Sequence, residues 1–177
     1  MPNTCPYCNN EQALKGYNTI PDIYPELCDY WSSKNLVKTD EVTRSVEAEN
    51  KIFTWICDCC NLEFQERLGI VLEAFTKNNS SKLNSICPYC NKKLPKPNET
   101  VNYVKPYLIN EWAKELNGDI DTFFYDSNVL VDWICRKCHR NFKAKISERY
   151  ENDQCCPYCS FKKTAKGYND LETTILG

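Results

Sequence analysis

Ten of the chain's 13 cysteines fall in five Cys-x-x-Cys pairs, at Cys5/Cys8, Cys57/Cys60, Cys87/Cys90, Cys135/Cys138 and Cys156/Cys159, and three of these pairs read Cys-Pro-Tyr-Cys. A turn of this kind presents two thiolates along one edge of a tetrahedron, and two such turns complete the four-sulfur shell of a structural zinc ion. A disulfide framework is the rival, but it belongs to secreted chains, and the opening MPNTCPYCNNEQ has neither a charged nor an apolar leader stretch. Redox pairs come singly on a βαβ pattern, whereas these come in series on short Tyr- and Trp-rich segments. The pattern therefore points to zinc.

An internal repeat assigns the ligands. Pro25-Glu26-Leu27, Trp31, Trp55-Ile56-Cys57, Cys60 and Phe64 recur as Pro106-Tyr107-Leu108, Trp112, Trp133-Ile134-Cys135, Cys138 and Phe142, and each series leads to Cys-Pro-Tyr-Cys. The period is about 80 residues. One site is then Cys57, Cys60, Cys87 and Cys90, and the other is Cys135, Cys138, Cys156 and Cys159. Two structural zinc ions are expected.

The expected fold is small α+β and zinc-dependent, with two tandem units, each built on a β-hairpin knuckle and short helices. Each repeat is too short to bury a large core, so metal takes the place of core area. Ile52–Ile56 and 129–134 read as strands entering the knuckles, and Pro21–Trp31 and Pro106–Leu116 as short helices. Between Cys60 and Cys87 lie 26 residues, against 17 between Cys138 and Cys156. The surplus carries Leu68, Val71, Leu72 and Phe75 at helical spacing, which predicts an inserted helix near 66–77, followed by a polar loop at 78–81. Leu94-Pro95-Lys96-Pro97-Asn98 reads as a linker, because two close prolines preclude a regular helix. The expected boundaries are an orphan half-repeat over 1–20, the first unit over 21–94, a linker over 95–105, the second unit over 106–163 and a partial repeat over 164–177. The four tryptophans recur at equivalent positions, which predicts core residues.

These residues resemble the tandem zinc-ribbon, or treble-clef-like, domains of bacteria and their phages. Their repeat runs Pro-x-Leu, Trp, Lys-Asn, Trp-x-Cys-x-x-Cys, an aromatic, Arg and Cys-Pro-x-Cys. The similarity covers Pro25–Cys90 and Pro106–Cys159 and takes in Lys34-Asn35, Asp40-Glu41-Val42, Arg67 and Arg149. It implies structural zinc and a hairpin-plus-helix fold, and it implies no reaction.

The chain departs from that pattern at its ends. Cys5/Cys8 matches the closing half of a repeat without its opening half, and Lys166-Gly167-Tyr168-Asn169 repeats Lys15-Gly16-Tyr17-Asn18. Cys5 and Cys8 are either a third zinc site, completed by a second chain in a dimer or by Cys28, Cys59, Cys155 or His139, or a free thiol pair packed by Pro6 and Tyr7. By alignment Cys28, Cys59 and Cys155 fall opposite Ile109, Lys137 and Ile86, so none has the position of a ligand. Cys28 reads as a core residue. His139 falls opposite Asn61, which favours a surface or hydrogen-bonding role.

Charge carries the remaining functional signal. The formal net charge is −2, and two zinc-thiolate sites lower it to about −6. A chain of that sign gains little from generic duplex binding. Its distribution is uneven: residues 1–76 hold six Lys/Arg against twelve Asp/Glu, and residues 135–166 hold nine against three. The acidic half, with Glu47, Glu49, Glu63 and Glu66, suits a basic groove on a protein partner. The basic half, with Arg136, Lys137, Arg140, Lys143, Lys145 and Arg149, suits nucleic acid. Catalysis has little to work with, since the chain has one histidine, no phosphate-binding glycine loop and no His-Glu-x-x-His, and the run Asp119, Asp121, Asp126 and Asp132 reads as turn-rich surface. No apolar run approaches the roughly 20 residues of a membrane span. The expectation is a cytoplasmic, non-enzymatic zinc protein that works by binding. Asn- and Lys-rich composition suggests an AT-rich bacterial or phage genome, and the leading version is a phage-encoded inhibitor of a host nucleic-acid-guided nuclease, anti-CRISPR-like. The alternative is a nucleic-acid-binding accessory module that uses the second unit.

Overall fold

Alternation of apolar and polar residues in Ile52–Ile56 (β1) and Glu63–Arg67 (β2) makes one face of an antiparallel hairpin apolar, with Trp55 opposite Phe64 and Ile52 opposite Arg67. Leu130–Ile134 (β3) and Asn141–Lys145 (β4) repeat the arrangement, with Trp133 opposite Phe142. A computed structural model of the chain describes residues 5–77, 83–151 and 156–170, and these form two compact units that divide between Lys93 and Leu94.

In the first unit the hairpin leads straight into a ten-residue helix, Leu68–Lys77, which follows the short helices Ile20–Ile23 (α1) and Val46–Asn50 (α2) and is α3. Its buried Leu68, Val71 and Leu72 pack with Ile20, Leu27, Phe53 and Trp55. A helix is therefore present where one was expected and packs into the core of the hairpin, but it is not an insertion, because Ile146–Glu151 follows the second hairpin at the equivalent place and is only shorter. The polar loop expected at 78–81 lies outside the described residues. Two edge-to-face aromatic pairs, Tyr24–Phe75 and Tyr30–Phe75, close the wall of this core at 6.3 Å each.

The second unit carries Val101–Val104 (α4), Lys114–Asn117 (α5) and Ile146–Glu151 (α6), with Val101, Leu108, Trp133 and Ile146 in its core. Residues 95–105 are not a linker. Pro97–Glu99 forms a 3-10 turn, Thr100 caps α4 by accepting from the Tyr103 amide, and Val101 is buried. The two prolines sit where Pro is tolerated, ahead of and at the start of a helical turn. Likewise the residues before 21 are no detached fragment, because Thr19 pairs with Thr43 and Ile20 is fully buried in the first core. The helices expected over 21–31 and 106–116 are each broken. α1 gives way at Tyr24 to a 3-10 turn over Pro25–Tyr30, and Pro106–Glu111 is its equivalent. Leu116 consequently stands exposed at the end of α5.

All four tryptophans do structural work. Trp31 packs edge-on against Trp55 at 5.1 Å and Trp112 against Trp133 at 5.3 Å, and the indole N–H groups of Trp55 and Trp133 donate to the Glu66 and Ala144 carbonyls at 3.1 Å. Equivalent asparagines hold the hairpins from outside. Asn35 exchanges two hydrogen bonds with the Thr54 backbone, and Asn117 exchanges two with Asp132. No helix among the described residues is long and apolar enough to cross a membrane.

Candidate metal centres

Each hairpin ends in a knuckle that turns through a left-handed residue directly after its second cysteine, at Asn61 (φ 56°) and His139 (φ 55°). Their amides donate back to the Cys57 and Cys135 carbonyls at 2.9 and 2.8 Å. Asn and His enter this region more readily than most residues, so His139 is a turn residue, and it is exposed. The closing turns, Cys87–Cys90 and Cys156–Cys159, place their left-handed residue one position later, at Lys92 and Phe161.

These turns bring four sulfurs together in each unit. Cys57, Cys60, Cys87 and Cys90 have ligand atoms within 4.8 Å of one another, as do Cys135, Cys138, Cys156 and Cys159. Across the turns, Cys57 Sγ lies 3.7 Å from Cys90 Sγ and Cys60 Sγ 3.7 Å from Cys87 Sγ, while Cys135–Cys159 and Cys138–Cys156 are each 3.6 Å. A disulfide would need about 2.05 Å. A tetrahedral ion with sulfur at about 2.3 Å sets each S···S edge at about 3.8 Å, so the cavities fit zinc and the chain holds two zinc ions.

Burial of these thiols makes metal uptake a proton-releasing step. Burial pushes Cys87 up to about 11 and Cys156 up to about 12, in each case against backbone amides that donate to the sulfur. Cys90 is pushed up as well, by burial and by the sulfurs of Cys57, Cys60 and Cys87. Cys135 moves the other way, to about 7. Burial would raise it, but the amides of Lys137 and Cys138 and the sulfurs of Cys138 and Cys156 outweigh that effect. Zinc binds thiolates, so both sites weaken as pH falls.

Two neighbours of the second site were not singled out as functional residues in the sequence. Tyr168 OH lies 3.2 Å from Cys159 Sγ, and this contact, with burial, pushes the phenol up to about 12. Asn169 Nδ2 donates to the Tyr158 and Lys163 carbonyls at 2.8 Å and locks the closing turn. Their signal was the repeated Lys-Gly-Tyr-Asn, whose glycines have φ of 84° and 76°, at Gly16 and Gly167.

The charged candidates are placed differently from one another. Arg136 and Lys137 are exposed at the tip of the second knuckle. Arg140 lies over the Tyr168 ring and donates to the Lys166 carbonyl, tying knuckle to closing turn. Lys143 and Lys145 pair with Asp132 and Glu148. Arg149 departs from the expectation of a binding cation, because it is 2% exposed, ion-paired with Glu111 and set over Trp133. Helical spacing from Ile146 turns it inward, and the charge follows its partner into the core. Of the acids, Glu47, Glu49 and Glu63 pair with Lys51, Arg44 and Lys34, and Glu66 accepts from the Arg67 amide. Cys28 packs against the first core and Cys59 is exposed. Cys155 lies outside the described residues.

Residues 108–162 match the model of a family described as "Probable Treble clef zinc finger domain". The match spans the second unit from Leu108 to just past its closing cysteines, and the first unit repeats the same ligand arrangement. No curated protein is similar enough to count as a relative.

Proposed function

We propose that the protein is a non-catalytic binding module whose second zinc unit docks the phosphate backbone of nucleic acid. The observation that carries this reading is the rim of the second site. Arg136 and Lys137 on the knuckle and Lys162, Lys163 and Lys166 after the closing turn are exposed, and none makes an ion pair among the described residues. The zinc holds both turns, so it fixes these cations relative to one another, which lowers the entropy lost on binding. On the knuckle, the positions of Arg136 and Lys137 are Asp58 and Cys59 in the first unit, and Asp58 accepts from the Leu83 amide, whereas the position of Lys162 keeps a lysine, Lys93. Four sulfurs fill each metal shell, leaving no open position for water or substrate, so the metal's role is structural.

A second reading rests on the acid excess of residues 1–76. It has the first unit occupy a basic surface of a protein, such as a host defence nuclease, in an anti-CRISPR-like manner. Internal pairs already neutralise Glu47, Glu49 and Glu63, which weakens the field available to it.

The deciding experiment is a titration of zinc-loaded protein against labelled single- and double-stranded DNA and RNA over a range of salt. Contact with three to five phosphates predicts a slope of log K on log salt of roughly −2 to −4.5. Reversal of Arg136, Lys137, Lys162 and Lys163 to Glu should abolish binding, and reversal of Glu47, Glu49 and Glu66 to Lys should leave it intact. Absence of any salt-dependent binding sinks the nucleic-acid reading.

A further inference from the structure

The Cys5/Cys8 turn lies outside both four-sulfur clusters, yet it matches the closing half of the second one contact for contact. Asn9 and Ser160 donate to the Cys5 and Cys156 carbonyls, each at 3.1 Å. Asn10 and Phe161 follow in the left-handed region at φ 60° and 58°. Asn18 Nδ2 donates to the Tyr7 and Gln12 carbonyls at 2.9 Å, as Asn169 Nδ2 does to those of Tyr158 and Lys163 at 2.8 Å. The Leu14 and Ala165 amides return to the Asn18 and Asn169 side-chain oxygens at 2.7 and 2.6 Å. Tyr17 OH points at Cys8 Sγ at 3.8 Å, as Tyr168 OH does at Cys159 Sγ. The backbone amides of Tyr7 and Cys8 also donate to the Cys5 sulfur, as those of Tyr158 and Cys159 do to Cys156.

A free thiol pair has no need of this scaffold. In the second unit the same scaffold aims two sulfurs at a metal. Around Cys5/Cys8 no third ligand completes a cluster among the described residues, and Cys28 is engaged in the first core while Cys59 stands on the first knuckle. Cys8 is exposed, so the half-site faces outward.

We propose that Cys5 and Cys8 are a third zinc half-site, completed by Cys5 and Cys8 of a second copy of this chain. A structural zinc ion takes four ligands at the corners of a tetrahedron, and Cys5 and Cys8 supply two of them. A second copy supplies the missing two on an identical turn, and a two-fold axis through the ion closes the assembly without leaving a repeating edge.

Native mass spectrometry of the full chain with limiting and excess zinc tests this. The expected result is a dimer carrying five zinc ions, two in each chain and one shared, and a Cys5→Ser/Cys8→Ser variant that is a monomer with two. Because those serines could disturb the turn, Tyr17→Phe is the second variant. It keeps the fold and both internal zincs and should lose the shared ion at several-fold lower chelator concentration than the wild type. A wild-type chain that stays monomeric, with two zincs or with three, overturns the proposal, and so does a dimer that survives loss of both cysteines.

Discussion

The two units build the same metal centre behind different walls. Position 30 of the first unit is tyrosine and position 71 is valine, and with Tyr24 and Phe75 they make an apolar, aromatic wall against a ten-residue helix. Equivalent positions of the second unit are Glu111 and Arg149, a buried ion pair, with Lys105 over the Tyr107 and Tyr150 rings. The knuckles, the stacked tryptophans and the sulfur geometry are nonetheless alike. The metal and the hairpin therefore define the unit, and the wall is free to vary as long as every charge taken inside meets a partner.

Zinc sets the largest expected effect. Structural zinc is worth on the order of 10 kcal/mol to folds of this size, and every ligand of each site lies within its own unit. Cys57→Ser should release one zinc and unfold the first unit alone, and Cys135→Ser should do so for the second. The indole N–H resonances of Trp55 and Trp133 report the two cores separately. Loss of both signals from one substitution would show that the units do not fold independently.

Next in size is the ion pair. Arg149→Met leaves the partly buried Glu111 without this partner and should cost about 3 kcal/mol. Adding Glu111→Tyr imports the apolar wall of the first unit, and the double variant should be more stable than either single one in thermal unfolding. If the double is the worst of the three, the walls are not interchangeable. Matched asparagines give the control. Asn35→Ala and Asn117→Ala each remove two hydrogen bonds to a strand backbone and should each cost about 2 kcal/mol, so a strong inequality would mean that the hairpins are not equivalently supported.

Ligand assignment, hairpins and tryptophan core were legible because each rests on short-range spacing: cysteines three positions apart, alternation of period two, and recurrence of large residues. Arg149 was misplaced for a different reason. A basic residue in a basic stretch looks like surface, and only its register from Ile146, together with a glutamate 38 positions earlier, turns it inward. Residues 95–105 read as a linker because two prolines signal a break, although Thr100 bridges Phe124 ahead of the second hairpin as Thr19 bridges Thr43 ahead of the first, and Val101 is buried as Ile20 is. The helix expected from Pro21 breaks at Tyr24, because Pro25 disfavours a helical backbone in the residue before it, and the one from Pro106 ends where Trp112 turns extended to bridge Trp133; neither is visible in apolar spacing.

The smallest predicted effect lies where the units diverge in backbone rather than side chain. In the first unit α2 crosses α3 at Gly69, where a Cβ would meet the Glu49 carbonyl oxygen at 3.2 Å. Among the described residues the second unit has no helix at the α2 position. The Ser127 carbonyl accepts the Ser147 amide there, and Ser147, the counterpart of Gly69, donates its hydroxyl to Asn128. Gly69→Ala gains about 1 kcal/mol of helix propensity, but it must push the Glu49 backbone aside, and backbone yields less readily than a side-chain tip. The net should be a destabilisation of about 1 kcal/mol, with Ser147→Ala within about 0.5 kcal/mol of neutral because its bond is exposed. Denaturant midpoints followed at the two indole signals measure both. A stabilised Gly69→Ala would mean that α2 shifts freely on α3 and that the helix crossing, unlike the metal centre, is a loose part of the first unit.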